Sequence, residues 1–236
     1  MMACYLGIDV GTSGCRSCVI DDDAAIVAGV RTPLAPPRCS GNRVEQDPAL
    51  WWAALATNLD HLRTQTDMTA IAALCLDGTS STLLACVPAG DPLGPALMYN
   101  DTRARQAAVR IGDIAPGDSA AHGASSSLAK LLWLKEAGGL PDTGHVLHQA
   151  DWLLGRLCGL FGKSDENNAL KLGYDPVQRR WPAWLEKLAV PVALLPEVVP
   201  AGQTIGLLTA EHCRRWGFAP HTRVVSGTTD STASFI

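Results

Sequence analysis

Three short motifs of the same type recur along the chain, and their residues could bind phosphate or sugar hydroxyls. Each places a Gly-Thr pair and a further hydroxyl residue after an apolar strand, beside an Asp: Ile8-Asp9-Val10-Gly11-Thr12-Ser13, Leu76-Asp77-Gly78-Thr79-Ser80 and Val225-Ser226-Gly227-Thr228-Thr229-Asp230. Glycine lets the backbone turn tightly and approach a ligand closely, and the hydroxyls and amides that follow can hold phosphate oxygens. Coincidental turn residues are the alternative, which the threefold repetition disfavours. The pattern predicts a ligand site at strand C-termini.

Cysteine and histidine show no comparable pattern. Of the eight cysteines only Cys15 and Cys18 form a C-x-x-C pair, and this pair falls in a strand-like stretch, where residues three apart point to opposite faces. A redox pair needs a helix start, and a zinc site needs a second pair of ligands. The six histidines have no ligand spacing. The sequence therefore predicts reduced core cysteines and no metal site built by a cluster of protein side chains.

The elements that must position the three motifs include both strands and helices. Apolar stretches predict strands at 4–10, 15–20, 24–32, 71–76, 83–87, 96–99 and 222–226. Helices are predicted from Asp47-Pro48 through Leu62 and at 102–111, 127–137, 150–160, 183–188 and 209–216, with a loop at 33–42 and a polar connection at 165–172. The first strands are joined by short turns and must be antiparallel. The order of elements predicts an α/β layered domain.

Length and composition exclude several classes of protein. The chain has 236 residues, of which 47% are hydrophobic and 18% charged, so it can form a continuous core and is not disordered. No apolar run approaches the ~18–20 residues of a membrane span, and no signal peptide is recognised at the N-terminus. The net charge of −4 gives no electrostatic footprint for nucleic acid. We expect a cytoplasmic protein without a nucleic-acid or membrane partner.

Six segments in sequence order give the chain a resemblance to the FGGY carbohydrate kinases, a branch of the actin-like, ribonuclease-H-like ATPases. They are Asp9 to Arg16, Val44 to Pro48 with Trp51 and Trp52, Asp77 to Ser80, Met98 to Ala104, Lys130 to Leu134, and Asp151 to Leu153. The chain departs from the family at Arg16, where many members have Lys, and it lacks everything after residue 236. The last residues, 231–236, look like the start of an interrupted helix.

The resemblance implies a fold, a domain arrangement and cofactors. The fold would be an α/β ribonuclease-H-like (actin-like ATPase) domain with a mixed five-stranded sheet, antiparallel N-terminal strands and added helices. Residues 1–236 would form the N-terminal, sugar-binding domain. Residues 226–236 would begin the hinge to a C-terminal ATP-binding domain. The cofactors would be ATP and Mg²⁺, and the reaction would be transfer of a phosphoryl group to a sugar hydroxyl.

The resemblance also assigns roles to individual residues. Asp230 would be the catalytic base that accepts the proton of the attacking sugar hydroxyl. The nucleotide phosphates and Mg²⁺ would be bound by Asp9, Gly11, Thr12, Ser13, Arg16, Gly227, Thr228 and Thr229. The sugar would contact Thr79, Ser80, Asp101 and Arg103. Two purely structural roles remain open, because Asp101 could cap a helix that begins at Thr102 and Arg103 could be a solvated helix residue.

The segment Ser164 to Pro176 is similar to ribulokinase- and xylulokinase-like members of the family, which implies a ketopentose such as ribulose or xylulose. Asn168 could bind a sugar hydroxyl there, because its amide both donates and accepts hydrogen bonds. Glycerol is disfavoured, since Tyr99 to Arg103 differs from the glycerol kinase pattern. The expected partners are the sugar, the second domain and, in a homodimer, another copy of the chain.

Two other classes of function compete with a kinase. A non-catalytic sugar-sensing or assembly protein could use the same fold, but it would not need a base at Asp230. A dinucleotide-binding domain would need Gly-x-Gly-x-x-Gly at a strand–helix junction. The glycines of Gly11-Thr12-Ser13-Gly14 have the wrong spacing and lead into a strand.

Overall fold

The computed structural model describes residues 3–235 and contains thirteen strands and eight α-helices in that range. The strands are β1 (Cys4–Val10), β2 (Gly14–Asp21), β3 (Ile26–Pro33), β4 (Arg38–Ser40), β5 (Arg43–Gln46), β6 (Ile71–Gly78), β7 (Leu83–Cys86), β8 (Ala96–Leu97), β9 (His145–His148), β10 (Lys163–Asp165), β11 (Glu197–Val199), β12 (Thr204–Leu207) and β13 (Arg223–Thr229). The helices are α1 (Pro48–Leu62), α2 (Arg105–Ile114), α3 (Ser127–Glu136), α4 (Gln149–Cys158), α5 (Glu166–Ala169), α6 (Trp184–Lys187), α7 (Ala210–Trp216) and α8 (Asp230–Ala233).

The central sheet is mixed and has the strand order β12-β13-β6-β1-β2-β3. β1, β2 and β3 are antiparallel neighbours, as predicted, while β1 and β13 both run parallel to β6. The prediction of five strands was wrong by one. The extra strand, β12, has only four residues and pairs antiparallel with β13 at the edge of the sheet, so its length and composition give little periodic signal.

Helix α1 covers one face of the central sheet. Asp47 accepts a hydrogen bond from the Ala49 N–H, and Pro48 begins the helix, as the sequence predicted. Trp51, Leu55 and Leu59 are completely buried against the sheet. The side-chain amide of Asn58, also buried, donates to the Cys15 carbonyl and to the Ser17 hydroxyl of β2 at 3.1 and 2.9 Å. Apolar burial and these bonds fix the helix to the strands that carry the first motif.

A second sheet has the order β4-β5-β8-β7-β9 and contributes residues to the main core, such as Leu84 and Leu147, and to a second core. Leu83 and Val146 of this sheet pack with Leu128 and Leu131 of α3, all four fully buried. The sequence predicted two of the five strands, β7 and β8. β4 lies within the predicted loop 33–42, because a three-residue hairpin strand shows no alternation that could identify it.

Three predicted elements differ from the structure. The helix expected from Thr102 begins at Arg105, and Ala104 precedes it. The last predicted strand continues to Thr229, so the third Gly-Thr motif lies within β13 and not after it. The polar segment 165–172 is largely buried and forms α5 and a 3₁₀ turn, with Asp165 and Asn168 exposed by 2% and 1%. Its polar groups find partners inside the protein, as in the hydrogen bond from Asn168 to Asp165.

The predicted helix turn at 231–236 corresponds to α8, except that Ile236 lies outside the described residues. All eight cysteines are free thiols, and five of them are buried. No helix within residues 3–235 combines the length and apolar character that crossing a lipid bilayer requires.

Candidate active site

Three carboxylates from distant parts of the chain meet at one edge of the central sheet. In the parallel register Asp9 of β1 lies opposite Asp77 of β6, and Thr228 of β13 lies opposite Asp77 on the other side. Asp230 follows β13 directly at the same edge. The C-terminal ends of three adjacent strands therefore bring Asp9, Asp77 and Asp230 to one open cleft of about 570 Å³.

The cleft brings together about half of the residues predicted for the site. Its walls are formed by Asp9, Gly11, Thr12, Ser13, Arg16, Asp77, Thr79, Tyr99, Asp230, Ala233 and Ser234. Asp77 and Tyr99 had no predicted role, although both stand inside motifs that the sequence singled out. The predicted residues that do not line the cleft are Ser80, Asp101, Arg103, Asn168, Gly227, Thr228 and Thr229.

The turn between β1 and β2 forms one wall of the cleft. The Gly11 N–H donates to the Gly14 carbonyl at 3.1 Å and closes the turn, which leaves Thr12 half-buried and Ser13 exposed. Arg16 lies opposite Asp9 in the antiparallel register, and its Nη1 is 2.5 Å from Asp9 Oδ2. Because both side chains are well exposed, this ion pair adds little stability. Its geometry instead places a guanidinium and hydroxyls beside a carboxylate.

Asp77 lies between the other two carboxylates. Burial, and then the negative charges of Asp9 and Asp230, raise the pKa of the Asp77 carboxyl to about 7. Its Oδ1 atom is buried and has no hydrogen-bond partner among the described residues. A buried carboxylate oxygen without a partner indicates that a proton, a cation or a bound ligand group completes this site.

These carboxylates fit a magnesium ion that is bound together with phosphates. Residues 3–235 contain no group of three or more His, Cys, Asp or Glu side chains arranged to hold a metal by themselves. Mg²⁺ in phosphoryl-transfer sites is typically held by one or two carboxylates, water and substrate phosphates. Asp9 and Asp77 supply such hard oxygen donors beside the hydroxyls of the β1–β2 turn.

The turn at Thr79 to Thr82 contributes Thr79 to the cleft and is supported by a buried lysine. Ser81 has φ of +71°, a strained conformation for a residue other than glycine. Its carbonyl accepts a hydrogen bond from Nζ of Lys130 at 2.7 Å. Lys130 is fully buried in α3, and burial lowers its pKa to about 7. In the sequence Lys130 stands out only as part of a motif, because a lysine in a helix gives no sign of its burial.

Asp101 and Arg103 form a buried ion pair. Arg103 Nη2 lies 2.6 Å from Asp101 Oδ2 and 2.7 Å from Glu45 Oε1, and the guanidinium stacks 4.8 Å from the Trp133 ring centroid. Asp101 also accepts the Val44 N–H at 2.7 Å. The two structural alternatives, a helix cap and a solvated helix residue, are both wrong. Because these groups bond to one another and to β5, their contact with a sugar stays a prediction.

Asn168 ties α5 to the end of β13. Its Nδ2 donates to Asp165 Oδ2 at 2.6 Å and to the Thr228 carbonyl at 3.2 Å, while its Oδ1 is buried without a partner. Asn167 donates to the Thr228 hydroxyl at 2.9 Å. The neighbouring Thr229 hydroxyl accepts the Thr232 N–H and so caps α8. A sugar contact by Asn168, and phosphate contacts by Thr228 and Thr229, therefore stay predictions.

Gly227 is required by the packing of β13 on β6. A Cβ atom at this position would lie 1.6 Å from the Leu76 carbonyl oxygen, and the pairing of the two strands shifts register between Val225 and Thr228. The bulge brings the two backbones into close contact and directs the chain toward Asp230. Gly227 thus acts through the strand geometry, and a direct phosphate contact stays a prediction.

Comparison with known proteins agrees with this geometry. Residues 4–236 match the model of the N-terminal domain of the FGGY family of carbohydrate kinases. The chain is 26% identical over 239 residues to the xylulose kinase of Escherichia coli K12, covering 98% of this chain and 49% of that protein. It is 29% identical over 231 residues to the glycerol kinase of Acidovorax ebreus, covering 89% of this chain and 46% of that protein.

A solved structure of a xyloylose kinase from Brucella ovis matches with a TM-score of 0.88 and 30% identity, over 98% of this chain and 49% of that one. The chain thus spans about half the length of the relatives it matches. These neighbours have the actin-like ATPase fold, so the predicted fold class is confirmed.

Proposed function

This chain belongs to the FGGY family of carbohydrate kinases, and from that premise we propose that it is the sugar-binding part of an ATP-dependent sugar kinase. The observation that carries the proposal is the cleft itself. Asp9, Asp77 and Asp230 face the same space as the hydroxyl-bearing β1–β2 turn and Arg16. A second, ATP-binding domain following residues 226–236 is part of the proposal, and the length of the relatives supports it.

Bound ATP and Mg²⁺ would supply the phosphoryl group and neutralise much of its charge. Asp230 would accept the proton of the attacking sugar hydroxyl. It is half-buried, it lines the cleft, and its Oδ1 already accepts the Ser231 N–H at 2.7 Å, which fixes the orientation of the carboxylate. Arg16 and the hydroxyls of Thr12 and Ser13 would hold the phosphate oxygens. Thr79, which lines the same cleft, would contact the sugar.

We propose a ketopentose, xylulose or ribulose, as the substrate. Xylulose kinases stand among the relatives in both sequence and structure, and the segment Ser164 to Pro176 is similar to pentulose kinases. Glycerol is the competing substrate, because glycerol kinases match at comparable identity. The test uses a full-length protein that carries this chain. It is given ATP with D-xylulose, D-ribulose or glycerol, and the release of ADP is measured for each.

The role of Asp230 is tested in the same protein. We expect Asp230→Asn to lower kcat by about 100-fold or more, with little change in the sugar KM, because general base catalysis contributes roughly 10²–10⁴-fold. A variant that keeps normal turnover would exclude Asp230 as the base. A parent protein that binds a pentulose but phosphorylates none of the panel would favour the sugar-sensing alternative.

A further inference from the structure

We propose that Gln149 is the positioning residue that fixes the Thr79 turn and thereby sets which sugar hydroxyl the cleft accepts, an inference that rests on the proposed function. Gln149 is the first residue of α4 and is fully buried. Its Oε1 accepts both the N–H and the hydroxyl of Thr79, each at 2.9 Å. Its backbone N–H also donates to the Thr82 carbonyl at 3.3 Å. One residue therefore holds the turn at both ends.

The contacts of Thr79 form a hydrogen-bond chain with a single direction. Because the one hydroxyl hydrogen of Thr79 goes to Gln149, the 2.6 Å contact between the Thr79 and Thr82 hydroxyls must be donated by Thr82. Thr82 in turn accepts the Tyr99 N–H at 3.0 Å. The series of hydrogen bonds thus runs from the Tyr99 N–H through the hydroxyls of Thr82 and Thr79 to the side-chain oxygen of Gln149. It connects Tyr99 and Thr79, which both line the cleft.

This direction has a consequence for the substrate. The hydroxyl of Thr79 has no hydrogen left to donate, and one of its two lone pairs is used by Thr82. Toward the cleft it offers only an acceptor. A sugar hydroxyl that meets Thr79 must therefore donate its hydrogen, and a carbonyl or ether oxygen at that position is rejected. Gln149 imposes this rule, because it removes the only hydrogen that Thr79 could give to a ligand.

The packing around Gln149 leaves the amide little freedom. A Cβ atom on Gly78 would lie 3.1 Å from Gln149 Oε1, so the side chain is pressed against the end of β6. Nε2 is buried and has no partner among the described residues. The orientation of the amide is nevertheless fixed, because the Thr79 N–H can only donate and must face the oxygen. The side chain of Gln149 therefore holds Thr79 through Oε1 alone, and the substitutions below remove or keep this acceptor.

The test compares the same substitution at two buried glutamines. Gln149→Met removes the acceptor while retaining the length of the side chain. Gln46→Met is the matched control, because Gln46 is also buried, accepts the Trp51 indole N–H at 2.7 Å and does not line this cleft. We expect Gln149→Met to raise the KM for D-xylulose or D-ribulose by about tenfold, a difference of 1.4 kcal/mol, with kcat and the KM for ATP unchanged. Gln46→Met should leave all three constants unchanged.

Two further variants make the result independent of folding. Gln149→Glu keeps an acceptor oxygen in either protonation state and should restore a near-normal sugar KM. Gln149→Asn keeps the amide but withdraws it by one methylene, and it should behave like Gln149→Met. A sugar KM that is unchanged in Gln149→Met and Gln149→Asn, or raised equally in Gln46→Met, overturns the inference.

Amide hydrogen exchange separates this inference from the proposed function. Gln149→Met should speed exchange of the Thr79 N–H, whereas Gln46→Met should not. If the parent protein phosphorylates no sugar, the proposed function fails, and exchange at Thr79 alone decides whether Gln149 holds the turn. Unchanged exchange at Thr79 in Gln149→Met would overturn the positioning role whatever the activity.

Discussion

Replacing Asn168 with Ala should destabilise the fold, because this side chain links α5 to the end of β13 by hydrogen bonds that do not depend on a bound sugar. Its amide donates to the buried Asp165 carboxylate at 2.6 Å and to the Thr228 carbonyl at 3.2 Å. A hydrogen bond to a charged group contributes about 1.5–3 kcal/mol, and a neutral one about 0.5–1.5 kcal/mol. Loss of the unpartnered Oδ1 recovers part of this energy. We expect the free energy of unfolding to fall by about 2–3 kcal/mol.

The adjacent Asn167 offers a matched control. It is half-buried and makes one neutral hydrogen bond, to the Thr228 hydroxyl at 2.9 Å. Asn167→Ala should therefore cost only about 0.5–1 kcal/mol. For a chain of this size, one kcal/mol shifts the melting temperature by roughly 2–4 °C. Asn168→Ala should then melt about 4–12 °C below the parent chain, and Asn167→Ala much closer to it.

Scanning calorimetry of the three proteins without ligand measures these differences directly. If Asn168→Ala melts with the parent chain, Asn168 does not join α5 to β13, and the buried geometry of this segment is wrong. A loss of sugar affinity at unchanged melting temperature would instead restore the sequence-based hypothesis of Asn168 as a direct sugar ligand. A fall in both quantities would mean that Asn168 supports the cleft through β13.

Two further predictions concern a buried charge and a close backbone contact. Burial lowers the pKa of Lys130 to about 7 from its ordinary value of 10.5. Between these pH values the unfolded chain binds a proton that the native chain does not, so stability should rise with pH through this window, and Lys130→Met should remove that slope in urea titrations. Lys135→Met is the exposed control and should keep the slope. Equal slopes in the two variants would contradict the assignment of the slope to Lys130. Gly227→Ala should lower the free energy of unfolding by about 3 kcal/mol or abolish folding, because its Cβ meets the Leu76 carbonyl. Gly112→Ala in α2 is the control, because a new methyl group there meets open space. It should be neutral or stabilising in the same denaturation assay. Similar stability of the two alanine variants would argue against the bulge at Gly227.

The parts of the fold that could be predicted are those with long, regular patterns. β1, β2 and β6 have seven or eight residues each, and their apolar positions predicted strands. The short connections predicted that the first strands pair antiparallel. Three of the five strands of the second sheet were missed, because β4, β5 and β9 have four residues or fewer. Such strands are defined by their pairing partners, which local periodicity does not contain.

The same limit explains which site residues were found. Asp9 and Asp230 stand beside glycines and hydroxyls in the sequence, so their motifs indicated chemistry. Gln149 stands at the start of an apolar helix, where a polar residue is unremarkable, and its contact with Thr79 joins positions 70 residues apart. Lys130 looks like any helix lysine until α3 is packed. Roles that arise from pairing across the fold have no local signal.

The order of strands in the central sheet means that the cleft cannot be completed until β13 has been synthesised. β13 pairs with β6 across about 150 residues of intervening sequence, and Asp230 follows it. Until residue 223 has been synthesised, one edge of β6 remains unpaired, although Asp9 and Asp77 can already face each other. Pairings of such long range form slowly, and an open apolar strand edge is a template for aggregation. Interrupted translation would therefore leave a chain with an exposed sheet edge and an incomplete site.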